Sequence, residues 1–120
     1  MADYEFELPF PPSINGYWRT FRNRQIISKK GRDYRSHAAM HMSFISLSCE
    51  EIRDHVSVSI VLNPPTLRRY DIDNFCKAIF DSLTHSGFWL DDSQVQKLTI
   101  EKGEKVAGGC VKISVNLIKT

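Results

Sequence analysis

At 120 residues, the chain has room for a single domain, which at this size buries roughly two-thirds of its unfolded surface on folding. A hydrophobic content of 42% with 25% charged residues excludes a disordered chain. No apolar run reaches the roughly 20 residues that span a bilayer, and residues 1–9 carry acids where a secretory leader needs a basic and then an apolar stretch. The expectation is therefore a soluble, cytoplasmic protein.

In chain order, Tyr4, Phe6 and Leu8 alternate with Glu5 and Glu7 and predict a half-buried strand. Pro9, Pro11 and Pro12 end it and impose an extended loop through Ser13, Ile14, Asn15 and Gly16. A short strand is expected from Gln25 to Ser28. Ser28 then caps a long helix reaching about Arg53, with Ala38, Met42, Ile45 and Ile52 at helical spacing and an early break at Gly31. Val56, Val58, Ile60 and Leu62 alternate as a core strand, which Pro64 and Pro65 end. From Asp73 to about His85, Phe75, Ile79 and Leu83 recur every fourth position, the mark of an amphipathic helix, and Ser86-Gly87 stops it. Two more strands are read at 95–102 and 111–118, with Gly103 and Gly108-Gly109 as the turn signals of a hairpin between them. The order β-β-α-β-α-β-β predicts a single α+β domain over residues 1–120, with two helices packed on a mixed, mostly antiparallel sheet.

Net charge is only +2, but its distribution is uneven. Between positions 19 and 35 stand seven basic residues (Arg19, Arg22, Arg24, Lys29, Lys30, Arg32 and Arg35) against one acid, Asp33. Arg68 and Arg69 form a second cluster. Such clustering is the electrostatic footprint of a phosphate-backbone partner. Tyr17, Trp18 and Phe21 alternate with Arg19 and Arg22, a pattern that either stacks on bases or fills the edge of a core. Cys49, Cys76 and Cys110 are scattered without metal-site spacing and read as buried free thiols. His37 and His41 have zinc-compatible spacing on a helix but no third ligand, so they read as a solvated or DNA-facing edge.

The chemistry-bearing stretch is 68–77. In an extended chain Asp71 and Asp73 point the same way, and if a helix starts at Asp73, Lys77 lies one turn on along the same face. Two carboxylates beside an ammonium suit Mg²⁺, a hard cation that takes one or two carboxylates plus substrate phosphate. Taken alone, the same D-x-D is more often a helix N-cap at Asp73 with Asp71 favourable near the positive end of the dipole, and the flanking arginines and Lys77 are what raise the metal reading. Asp91 and Asp92 follow the helix C-terminus, where negative charge is unfavourable, and need compensation from a shared metal or from solvent.

These pieces occur in a recognisable order: Leu8-Pro9-Phe10-Pro11-Pro12-Ser13 with Asn15; Tyr34-Arg35; Arg69 with Asp71-Ile72-Asp73-Asn74 and Lys77; then Phe80-Asp81-Ser82-Leu83 through Gly87-Phe88-Trp89-Leu90-Asp91-Asp92. Over nearly its whole length the chain resembles the RusA family of bacterial and prophage Holliday-junction resolvases. The resemblance implies a homodimer that binds four-way junction DNA and nicks two opposing strands symmetrically with Mg²⁺ or Mn²⁺. It places the essential acids, which hold the metal, at Asp71, Asp73 and Asp92 and the essential lysine at Lys77, with Asp91 helpful rather than indispensable. DNA contacts are expected from Arg19, Arg22, Arg24, Lys29, Lys30, Arg68 and Arg69. One departure is the run Leu67-Arg68-Arg69-Tyr70, where family members can carry more arginines, which implies weaker junction affinity or altered sequence preference. The competing readings are a non-enzymatic branched-DNA-binding module and a metal-dependent hydrolase of small nucleotides.

Overall fold

The alternating segments near both ends of the chain meet in one sheet. The computed structural model describes residues 2–48 and 50–119. Its elements are β1 (Tyr4–Pro9), α1 (Ile14–Tyr17), β2 (Trp18–Phe21), β3 (Arg24–Ile27), α2 (Lys29–Ser48), β4 (His55–Asn63), α3 (Cys76–His85), β5 (Val95–Lys102) and β6 (Cys110–Ile118). Short 3-10 turns stand at Ile72–Asn74 and Asp92–Gln94. The main sheet runs β1-β6-β4-β5, antiparallel except for the parallel β4–β5 pair, and β2–β3 form a separate hairpin. The fold class is thus α+β with a mixed, mostly antiparallel sheet, as expected.

Period-two alternation places Val56, Val58, Ile60 and Leu62 of β4 inside, beside Val111, Ile113 and Val115 of β6 and Leu8 of β1. Ala38 and Met42 of α2 and Ala78, Ile79 and Leu83 of α3 join the same cluster. Each Val, Leu, Ile or Met side chain fully buried here contributes about 1.5–3 kcal/mol. This core fixes α3, and with it the chemistry at its N-terminus, against the sheet.

Several expectations need correction. The loop after Pro12 is not extended throughout: Ser13 Oγ accepts from Gly16 N at 3.3 Å and caps the single turn of α1. Residues 18–21 form a strand, so the basic region begins with a hairpin rather than one isolated strand. Ser28 does cap α2, accepting from Gly31 N at 3.0 Å, but the helix ends at Ser48. Ile52 belongs instead to a parallel bridge with Trp89, because its N–H donates to Phe88 O at 3.0 Å and its carbonyl accepts from Leu90 N at 3.1 Å. β5 and β6 are not a hairpin; β4 lies between them and pairs with both. Cys76 and Cys110 are free but only half-buried, since each sits at the start of its element, at the rim of the core; Cys49 lies outside the described residues. Among the described residues, no helix is long and apolar enough to cross a membrane.

Candidate active site

The segment that leaves β4 carries exposed Leu67, Arg68 and Arg69 and then turns inward at Tyr70. Tyr70 packs edge-on against Phe10 and Phe75, at centroid distances of 6.4 and 5.6 Å. Lys102 Nζ donates to Tyr70 O at 2.7 Å and lies 4.4 Å from its ring centroid. Asp71 is extended (φ −90°, ψ 136°), residues 72–74 make the 3-10 turn, and Asn74 N donates to Asp71 O at 3.2 Å. The ring of Phe75 must drop into the aromatic group of Phe10 and Tyr70, so the regular helix starts only at Cys76, not at Asp73.

This settles the cap reading of the D-x-D. Neither the 3-10 turn nor α3 has a side-chain cap hydrogen bond. Asp71 and Asp73 are exposed, and among the described residues neither carboxylate has a hydrogen-bond or ion-pair partner. Asp73 lies close enough to Cys76 to be felt there. Burial pushes the Cys76 thiol pKa up, and the Asp73 charge adds in the same direction.

Lys77 stands in the first turn of α3, and its Nζ lies 3.5 Å from Asp92 Oδ2. The two side chains keep 47% and 30% of their surface exposed, so the pair is open to a ligand. Asp92 is held by what flanks it. Gly87, at φ 82°, turns the chain off the end of α3. Trp89 is fully buried, with Nε1 donating to Thr84 Oγ1 at 2.8 Å. Asp91 and Gln94 form a capping box: Asp91 Oδ2 accepts from Ser93 N at 3.0 Å, and Gln94 Oε1 accepts from Asp91 N at 2.8 Å. Gln94 Nε2 then donates to Ile52 O at 3.0 Å and Asp54 O at 2.8 Å. The hydrogen bonds from Ser93 hold the Asp91 carboxyl below its usual range, with Lys77 a lesser influence. Asp91 is thereby occupied with capping and Asp92 faces the lysine, which separates two acids that look alike in sequence.

The carboxylates do not close into a finished cage: among the described residues no set of three His, Cys, Asp or Glu is poised around one ion. What the site offers is two unpartnered carboxylates on the turn entering α3 and a third on the lysine of its first turn. All-oxygen donors of this kind fit a hard divalent cation that keeps several waters and needs only one or two carboxylates.

A second cluster escaped the sequence reading. Tyr17, fully buried, donates its hydroxyl to Asp81, and Arg35 Nε donates to Asp81 Oδ2 at 2.8 Å and to Tyr17 OH at 3.2 Å. Burial first, and then the bond to Asp81, push the Tyr17 pKa up to about 12. The cluster ties α1, α2 and α3 together one helical turn beyond Lys77. Arg35 and Asp81 stand in the family-like segments Tyr34-Arg35 and Phe80-Asp81-Ser82-Leu83, but no spacing in the sequence joins them to each other or to Tyr17.

The basic residues are exposed: Arg19, Arg22 and Arg24 on the β2–β3 hairpin, Lys29 and Lys30 opening α2, and Arg68 and Arg69 just before Asp71. Lys29 is partly spent on Asp33, at 2.9 Å. Lysines at the positive end of a helix dipole are unfavourable by themselves and gain from an approaching anion. His37 and His41 lie exposed on α2, with His41 Nδ1 2.9 Å from His37 O.

A profile of the family described as Endodeoxyribonuclease RusA matches residues 9–118. The chain is similar to the crossover junction endodeoxyribonuclease of Enterobacteria phage HK97, with 34% identity over 120 residues, 100% of this chain and 99% of that one. It is similar in the same way to the RusA protein of Enterobacteria phage 82, at 38% over 115 residues, and to that of Escherichia coli K12, at 37% over 115 residues. Each of these two alignments covers 96% of this chain and 95% of the relative.

Proposed function

The chain belongs to the RusA family of endodeoxyribonucleases and resolves Holliday junctions; on that premise we propose that Asp71, Asp73, Asp92 and Lys77 make the cut. The observation that carries this reading is the pair of unpartnered carboxylates, Asp71 and Asp73, on the turn that leads into the Lys77–Asp92 ion pair. Asp71 and Asp73 would hold Mg²⁺, or Mn²⁺ in its place, with Asp92 as the third carboxylate. A cation bound there supplies Lewis-acid polarisation of the scissile phosphate and a nucleophile at neutral pH.

The remaining work falls to the chain. The Lys77 ammonium has three donors, one of them turned to Asp92, and its exposed face receives a non-bridging phosphate oxygen and the charge that builds on it. The capping box of Asp91 and Gln94 keeps Asp92 beside Lys77 without help from substrate. Arg19, Arg22, Arg24, Lys29, Lys30, Arg68 and Arg69 neutralise backbone phosphates, so binding falls as salt rises. The products are a 5′ phosphate and a 3′ hydroxyl.

Each chain carries one such site and resolution requires two cuts, so the working unit is a homodimer whose two-fold axis matches the junction. The candidate faces for the interface are the apolar edge near Phe88, where Leu90 is 52% exposed, and the long helix α2. The long helix α2 presents Met40 and Phe44 at 71% and 85% exposure. The compartment is the cytoplasm of a bacterium, with the chain bacterial or phage-encoded.

The test is Asp73→Asn. It abolishes Mg²⁺-dependent nicking of a four-way junction while junction binding stays the same or tightens, because a charge that repels phosphate is removed. Nicking at the wild-type rate by this variant contradicts the assignment. Undiminished salt-dependent binding by a wild-type protein that never cuts favours the binding module instead.

A further inference from the structure

The β2–β3 hairpin stands apart from the main sheet, and its tip has no part in the mechanism above beyond its charge. Phe21, the last residue of β2, is 48% exposed. The guanidinium carbons of Arg19 and Arg22 lie 5.7 and 5.3 Å from its ring centroid. The turn beyond it sets Arg22 and Asn23 at φ 52° and 61°, the left-handed pair of a two-residue hairpin turn. Asparagine accepts that region readily, whereas arginine adopts it only at a cost in strain. The root of the arm is firm. Ser28 N donates to Tyr17 O at 2.9 Å, Ser28 Oγ donates to Gly16 O at 2.5 Å, and Tyr17 is tied to Asp81 on α3, the helix of Lys77. An open cleft at the root is lined by Asn15, Trp18, Arg19, Thr20 and Gln25. Of the three aromatics in this region, Tyr17 is core, Trp18 is half-buried against it, and only Phe21 is presented to solvent.

An exposed ring with the guanidinium groups of Arg19 and Arg22 close to it, at the tip of an arm anchored at its root, matches a nucleotide: a π-face for the base and two cations for its flanking phosphates. In an intact duplex both faces of every base are already stacked. At the exchange point of a four-way junction a base can be unstacked at little cost. Resting on the resolvase reading above, we propose that Phe21 stacks on a base unstacked at the exchange point, with Arg19 and Arg22 holding the phosphates beside it. The arm thereby reads the branch, and its root passes that position to α3.

The test uses the full-length protein, without divalent metal, on a four-way junction carrying 5-iodouracil at the exchange point. Irradiation crosslinks wild type at Phe21, as located by mass spectrometry, and gives no Phe21 crosslink on a linear duplex carrying the same base. Phe21→Tyr keeps the crosslink. Phe21→Leu loses it and binds the junction roughly 5- to 150-fold more weakly, the span expected for one stacked base, while binding linear duplex as wild type does. Since Phe21 is exposed, matching thermal melts confirm that both variants fold. Absence of a wild-type crosslink at Phe21, or a Phe21→Leu variant that binds the junction as tightly as wild type, overturns the stacking role. If that happens while wild type still cuts junctions in Mg²⁺, the resolvase reading survives; if wild type does not cut, both fall together.

Discussion

Replacing Tyr17 by phenylalanine removes one hydroxyl and leaves the ring, so its effect isolates the cluster that joins α1, α2 and α3. The hydroxyl donates to the Asp81 carboxylate and accepts from Arg35 Nε at 3.2 Å. A hydrogen bond to a charged group contributes about 1.5–3 kcal/mol. Asp81 keeps the Arg35 bond at 2.8 Å, and its side chain is 22% exposed, so water recovers part of the loss. The expected cost is therefore about 2 kcal/mol, or about 8 °C in Tm at roughly 4 °C per kcal/mol for a domain of this size. The pH dependence has a definite sign. Burial is the largest single influence on Asp81 and opposes its ionisation, but the hydrogen bonds from Arg35 and Tyr17 outweigh it and hold the carboxyl below its usual range. A carboxyl depressed in the folded state stabilises above its unfolded pKa of about 4, and that contribution is lost as pH falls through the folded value. The gap between wild type and Tyr17→Phe should be full at pH 7 and narrow in acid below about pH 4. Thermal melts followed by circular dichroism at both pH values measure it. A loss of less than about 0.5 kcal/mol at pH 7, against the usual worth of a charged bond, or a gap equally wide in acid, would refute this account of the cluster.

Three other outcomes are expected. Lys77→Met lowers the single-turnover nicking rate by about 100- to 1,000-fold, as for loss of one transition-state donor, with junction affinity far less affected in a gel-shift assay. Asp91→Ala removes the cap and lowers the Tm, with reduced but measurable nicking, whereas Asp92→Asn abolishes nicking at a nearly unchanged Tm. Gly31→Ala, which in an open helix gains about 1 kcal/mol, instead destabilises in a melt, because its Cβ would sit 2.6 Å from Tyr17 O and 2.7 Å from Ile27 Cγ1.

What the sequence disclosed depended on how local the cause was. The strands at 4–9, 55–63 and 110–118 were legible because one face of each is core and the period of two survives in the residues. The β5–β6 hairpin was misread because parallel pairing to β4 leaves no turn signature. Gly103 is a glycine not for a turn but because the chain passes β4 closely there; a Cβ would meet Val61 Cγ1 and the Asn63 side-chain nitrogen, each at 2.6 Å. The family motif picked out Asp71, Asp73, Lys77 and Asp92 as candidates. The distinction between Asp91 and Asp92 was also available, since Asp91 three residues before Gln94 is a capping-box pattern. The Arg35–Asp81 contact spans 46 positions and has no local signal at all. Nor could spacing alone decide that Phe21 faces water while Tyr17 is buried.

The most direct test of the central claim is to incubate the purified wild-type protein in Mg²⁺ with a labelled, mobile four-way junction and, separately, with a linear duplex of the same sequence. The account predicts paired nicks at symmetric positions on opposing strands of the junction and none on the duplex. Tight junction binding without nicks, or cutting of the duplex at the same rate, would contradict it.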